Sequence, residues 1–225
     1  DNRVECQSFT KGRAFAALFE EQTPTGPPPQ CAEFHAWSQR FTGVDLLFTS
    51  ATDAPISSFG HLAILLHRTP NGAPEYTDPV FQYVGLLGTT SPSQTMASVL
   101  TGTVPLVLQP QAFVHFDRQT RYQEDRSLHR YAAQLSETQF SWLKARLWEQ
   151  LRRFESRYAF TTENCARQVL RLFEFARGPQ LPLEQPGITS SPIGVISQLQ
   201  ASGLLSRSSR VRPTLSSGLS RQRVA

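Results

Sequence analysis

Cys165 is the residue on which chemistry can be built. It follows Asn164 where Tyr158-Ala159-Phe160 gives way, after a short turn, to a run carrying Val169, Leu170, Leu172 and Phe173 at helical spacing. Asn164 is a good N-cap type, because its side-chain oxygen accepts from a free backbone N–H of the first turn. A thiol at the first helical position meets unpaired N–H groups and the positive end of the helix dipole, and both favour the thiolate. Such a cysteine is either a nucleophile or a small buried thiol at a helix start. A base elsewhere in the chain decides between the two.

Five histidines are available. His61 is the best placed. It opens the apolar run Leu62–Leu66, which reads as a buried strand, and it follows Gly60, which permits close backbone approach. His67 lies six positions on, at the turn end. His115 alternates with Phe113 and Phe116 in an expected strand, and His35 and His129 read as surface residues. A thiol of ordinary pKa is only partly ionised at neutral pH; an adjacent imidazole takes its proton and later returns it to the leaving group. A third polar group fixes the imidazole, and Gln82, on the strand that returns beside His61, is the candidate. It is equally readable as an ordinary polar residue on an alternating strand. The backbone N–H of Cys165 is the expected oxyanion donor.

The elements that must position these residues follow from pattern. Val44–Ser50 reads as a strand, His61–His67 as a second, and Pro79–Leu87 as a third, returning through the turn residues Thr69-Pro70-Asn71-Gly72. Ser91-Pro92 starts a short helix that runs to Leu100. Val104–Leu108, Ala112–Asp117 and Arg126–Leu135 read as further strands. Ser136 with Gln139 forms a capping box, and a helix to Phe154 follows, striped by Phe140, Leu143, Leu147 and Leu151. Short helices are expected at Ala14–Phe19, Phe34–Phe41 and within Thr189–Leu205. The fold class is α+β, an antiparallel sheet with the nucleophile helix packed against it. Residues 1–43 form an N-terminal extension, 44–177 the catalytic domain, 178–205 a C-terminal elaboration and 206–225 a basic tail.

Composition sets limits. The net charge of +4 resides in the tail, which holds five arginines and no acid, leaving −1 on the remainder. A basic isoelectric point therefore describes a disordered tail and not a nucleic-acid-binding face. Attraction of that tail to an anionic membrane surface is its functional reading. No apolar run approaches the ~20 residues that span a bilayer. With no leader ahead of Asp1, the chain reads as a processed secreted protein or a trimmed one. Cys6 and Cys31 flank a proline-rich segment, so a Cys6–Cys31 disulfide with Cys165 left free suits an oxidising compartment; three free thiols in the cytosol is the alternative. There is no Cys-x-x-Cys and no histidine pair at helical spacing, so neither a metal nor a cofactor is expected.

One ordered set of segments resembles a known family. Ser58-Phe59-Gly60-His61, Val80-Phe81-Gln82-Tyr83, Glu124-Asp125-Arg126, Tyr131, Leu135-Ser136, Gln139, Leu147-Trp148-Glu149, Tyr158-Ala159-Phe160 and Asn164-Cys165-Ala166 occur in the order of the Lnb N-terminal periplasmic domain family. Histidine before cysteine, with cysteine at a helix start, is also the order of circularly permuted papain-like enzymes of the NlpC and lecithin:retinol acyltransferase types. The resemblance implies that fold, and a periplasmic or envelope-associated Cys–His thiol enzyme with Asn164 and Tyr83 as substrate-binding residues. It further implies acyl transfer from a phospholipid to the N-terminal amine of a lipoprotein, with peripheral membrane contact and no nucleic acid. The family residue at Gln82 is commonly Asn. A cell-wall amidase or peptidase with the same dyad, and an envelope binding module that has lost the chemistry, are the competing readings.

Overall fold

The computed structural model describes residues 31–52, 59–69, 76–86, 91–153, 156–160, 162–178 and 191–214. Within these, seven strands form one antiparallel sheet in the order β6-β4-β3-β2-β1-β5-β7. The strands are β1 (Gly43–Thr49), β2 (His61–His67), β3 (Pro79–Gly85), β4 (Val104–Ala112), β5 (Leu128–Ala132), β6 (Ser156–Tyr158) and β7 (Arg210–Arg212). The helices are α1 (Ala32–Ser38), α2 (Pro92–Thr101), α3 (Phe113–Arg118), α4 (Glu137–Arg153), α5 (Cys165–Arg177) and α6 (Pro192–Ala201).

The central strands are buried on both faces, which is why β2 reads as an unbroken apolar run and not as an alternation. One face presents Val44, Leu46, Leu62, Ile64, Leu66, Phe81 and Tyr83 to a core completed by Leu143 and Leu147 of α4, Val169, Leu170 and Phe173 of α5, and Val195 and Leu199 of α6. The other presents Leu47, Ala63, Leu65 and Val80 to Phe113 and Phe116 of α3. The register Leu46↔Ile64↔Phe81 keeps like-facing residues opposite one another across β1, β2 and β3.

Two expectations are corrected. Ala112–Asp117 is not a strand: β4 runs on to Ala112 and α3 begins at Phe113. Phe113 and Phe116 are both buried, and a separation of three puts them on one side of a helix but on opposite sides of a strand. The tail from residue 206 is not wholly without structure either: Arg210–Arg212 pairs with Leu128–Arg130 as β7. Ser206 also contributes, its hydroxyl accepting from the Ala132 N–H at 3.1 Å.

Other readings hold with small shifts. The Ser136 capping box forms as expected, Ser136 Oγ accepting from Gln139 N at 3.2 Å and Gln139 Oε1 from Ser136 N at 2.9 Å. The segment before β1 belongs to the body of the protein, because Phe34 is buried with Trp142 and Trp148 of α4. Cys31 is disulfide-bonded and Cys165 is free. Cys6, the helix expected at Ala14–Phe19 and the turn at Pro70–Gly72 lie outside the described residues.

Candidate active site

The start of α5 is tied down from both sides by one amide. Asn164 Oδ1 accepts from Arg167 N at 3.0 Å, and its Nδ2 donates to the Phe160 carbonyl at 2.9 Å. The turn between them is closed by Ala159 N on Glu163 O at 2.9 Å. Cys165 is thereby held at the first helical position, 7% exposed. Asn164 caps the helix as expected, and both ends of its amide serve the helix start. Tyr83, the other expected substrate-binding residue, is 1% exposed within the core, its hydroxyl donating to Gln150 Oε1 at 2.6 Å.

The structure brings Cys165 and His61 together. The two strands flanking the site diverge there. Although β2 begins at His61 and β3 ends at Gly85, their register is closed only at Ala63↔Gln82, Ile64↔Phe81 and Leu65↔Val80. The N–H of Leu62 therefore has no β3 partner, and it donates to the Cys165 sulfur, as does the N–H of Ala166. The imidazole of His61 hydrogen-bonds the same thiol.

The electrostatics follow. Burial pushes the Cys165 thiol up, but the adjacent imidazole charge, its hydrogen bond and the two backbone N–H donors outweigh burial and hold the thiol below its ordinary value. Burial pushes His61 down, and the thiolate outweighs it, raising the imidazole. The opposed shifts favour thiolate and imidazolium together. Tyr158, half-buried beside the pair, is pushed up to about 12 by burial and then by the Cys165 charge.

Behind His61 is a clamp that pattern reading did not assign a role. Arg126 is 6% exposed and donates to the Ser50 carbonyl at 2.6 Å, the Thr49 carbonyl at 3.4 Å and Glu124 Oε2 at 2.9 Å. Thr49 is the register partner of His61. Gly60 sits against the same carbonyl with φ of +83°, and a Cβ there would lie 2.6 Å from Thr49 O and 2.5 Å from Phe48 Cε2. Arg126 and Glu124 both act on His61, the first lowering and the second raising its proton affinity. Asp125 between them has positive φ (48°), the kind of backbone outlier that clusters at functional sites. The signal in the sequence was Glu124-Asp125-Arg126 as one segment of the ordered set that carries the family resemblance.

Gln82 lies opposite Ala63, a diagonal neighbour of His61 on the pleat, within reach of a long side chain. Among the described residues its amide forms no hydrogen bond, and Nε2 of His61 is buried without one. His67 is engaged elsewhere, 3.1 Å from Asp45 and 3.7 Å from Asp78. His115 is exposed on α3.

Apolar rings border the thiol end of the sheet. Phe59, 56% exposed, packs against Phe160 with centroids 5.5 Å apart. Phe160 N donates to Val99 O at 3.3 Å, joining this pair to the end of α2. Leu86, just beyond β3, is also exposed.

The family model for the Lnb N-terminal periplasmic domain matches residues 35–202. No curated protein and no solved structure matches the chain. The matched span reaches past both limits of the domain expected at 44–177, and takes in most of α1 and all of α6. Among the described residues no helix is long and apolar enough to cross a membrane.

Proposed function

The chain belongs to the Lnb N-terminal periplasmic domain family, and from that premise we propose that it is a periplasmic thiol acyltransferase acting on phospholipid acyl chains. The observation that carries the reading is the hydrogen-bonded Cys165–His61 pair with opposed pKa shifts, at a helix start and beside exposed Phe59. Cys165 Sγ attacks the ester carbonyl of a phospholipid. The C–O bond to the glycerol breaks, the departing alkoxide takes the proton held by His61, and a thioester remains on Cys165. An N-terminal amine of a lipoprotein then attacks the thioester while His61 accepts its proton, and amide formation frees the thiolate. Gln82 is placed in this scheme as the group that meets Nε2 of His61 when substrate is bound, since catalytic hydrogen bonds often close only in the complex.

The Phe59–Phe160 wall favours an acyl chain over a muropeptide, because a peptidoglycan stem is polar and gains little from exposed rings. The test is fatty-acyl release from phospholipid vesicles by the wild type and by Cys165→Ala. Release that disappears in the variant is the expected outcome. Full release by Cys165→Ala would sink the reading, and muropeptide release with no action on phospholipid would replace it with an amidase.

A further inference from the structure

We propose that a cavity at the opposite end of β2 binds a small zwitterion, its anionic group between Arg130 and Arg210 and its ammonium on Glu137. The cavity encloses about 650 Å³, and its polar walls include Asp45, His67, Arg130, Glu137, Ser208 and Arg210. It is a separate place from the thiol: His61 and His67 are six residues apart on β2, about 20 Å along a strand. Nothing in the acyl-transfer chemistry uses it.

The first observation is a like-charge pair. The β5–β7 register sets Arg130 directly opposite Arg210, and like charges directly opposite on a sheet repel. Arg130 Nε meets Asp45 Oδ2 at 2.6 Å, so one carboxylate answers one of the two guanidinium groups. That carboxylate is shared, because His67 Nε2 also lies 3.1 Å from Asp45 Oδ2. Arg210 makes no ion pair among the described residues, while Arg212 beside it is already taken by Asp117 at 3.2 Å. Burial first, and then Arg210 and Arg212, lower the proton affinity of Arg130 against the pull of Asp45. Two guanidinium groups thus line one space, and that of Arg210 has no carboxylate on it among the described residues. Arginine forks suit the planar, bidentate capture of a phosphate or carboxylate.

The second observation is Glu137. It lines the same cavity from the first turn of α4 and is exposed; among the described residues it makes no ion pair with Arg210, and it acts on Lys144 only through its field. Charges of both signs therefore line one cavity. A ligand carrying both signs neutralises both walls, whereas a simple anion would be repelled by Glu137 and a simple ammonium by Arg210. Asp45 and His67, each under one-tenth exposed, line the cavity, and Asp78 lies 3.7 Å from His67.

The experiment is isothermal titration of the full chain with O-phosphoethanolamine and with glycine, and with inorganic phosphate and ethanolamine as the single-charge controls. The expected result is saturable binding of at least one zwitterion, about tenfold tighter than either control (about 1.4 kcal/mol). Arg210→Gln weakens binding of both the zwitterion and phosphate. Glu137→Gln weakens the zwitterion and leaves phosphate unchanged or tighter. Both residues are exposed, so both variants fold, and alkylation of Cys165 proceeds at the wild-type rate in each. Co-sedimentation with phosphatidylethanolamine vesicles that is lost in Arg210→Gln identifies the ligand as a lipid headgroup; binding of the soluble zwitterion alone identifies a free solute. No saturable binding of either zwitterion, or binding indifferent to both substitutions, overturns the proposal and leaves the thiol chemistry untouched.

Discussion

Cys165 and His61 pull each other's proton affinities in opposite directions, and this fixes the pH behaviour of the site. Lowering the thiol and raising the imidazole bring the two ionisations toward each other, which favours thiolate and imidazolium together. Alkylation of Cys165 should therefore switch on below 9.0, the ordinary thiol value. In His61→Gln the imidazole's contribution is gone and only the two backbone N–H donors oppose burial, so the inflection in rate against pH should move up from its wild-type position. An unmoved inflection would mean that the two side chains are not coupled. Gly60 supplies a second residue-scale test. Its φ of +83° and the 2.6 Å approach to Thr49 O leave no room for a Cβ, so Gly60→Ala should cost about 2 kcal/mol or more in denaturant unfolding with unchanged m.

At the scale of elements, the site is made by a helix start meeting the splayed end of two strands, with a clamp on the third. Arg126 holds the end of β1 by the Thr49 and Ser50 carbonyls, against which Gly60 and His61 are packed. Removing it should act on His61 twice, by loosening β1 and by removing a cation that lowers the imidazole. The upper limb of the pH–rate profile should move up in Arg126→Gln and down in Glu124→Gln, since the two groups act on His61 with opposite sign. A purely structural clamp would lower stability in both without splitting the profiles. The Ser136 cap is a simpler case: Ser136→Ala should destabilise α4 by about 1 kcal/mol in thermal or denaturant unfolding.

What could be read in advance divides along the same lines. Cys165 and His61 were legible because their signals are local: an N-cap before the cysteine, and a glycine before the histidine at the mouth of an apolar run. The three central strands were legible because burial on both faces makes their middles largely apolar, as in Leu62–Leu66. α3 was misread because Phe113, His115 and Phe116 satisfy a strand alternation only by ignoring that Phe113 and Phe116 are three apart. Asn164 was legible as the N-cap of α5, because its partners, Arg167 N and Phe160 O, are three and four residues away. Tyr83 shows the harder limit: its hydroxyl partner, Gln150, is 67 residues away, and long-range packing decides such partners. Arg126 was passed over for the same reason: its acceptors on β1 are 76 and 77 residues away.

For the whole molecule, the sheet is what relates the two ends, and its outer strand is part of it. Ser206 and β7 close the edge beside β5, and Arg212 reaches Asp117 at 3.2 Å. A chain ended at Leu205 should therefore melt several degrees lower, a shift of the size expected for a loss of about 1–2 kcal/mol. An unchanged melting temperature would return residues from 206 onward to the status of a solvated tail. The apolar rings around the thiol and the charged cavity at the far end make the two ends of β2 chemically opposite.

The central claim is that Cys165 takes an acyl group from phospholipid, and intact mass after incubation with phospholipid vesicles tests it most directly. The wild type should gain the mass of a fatty-acyl chain, the adduct should be released by hydroxylamine, and Cys165→Ala should gain nothing. A wild-type protein that stays unmodified, while Cys165 still alkylates quickly, would contradict the claim and move the search to peptide or peptidoglycan substrates.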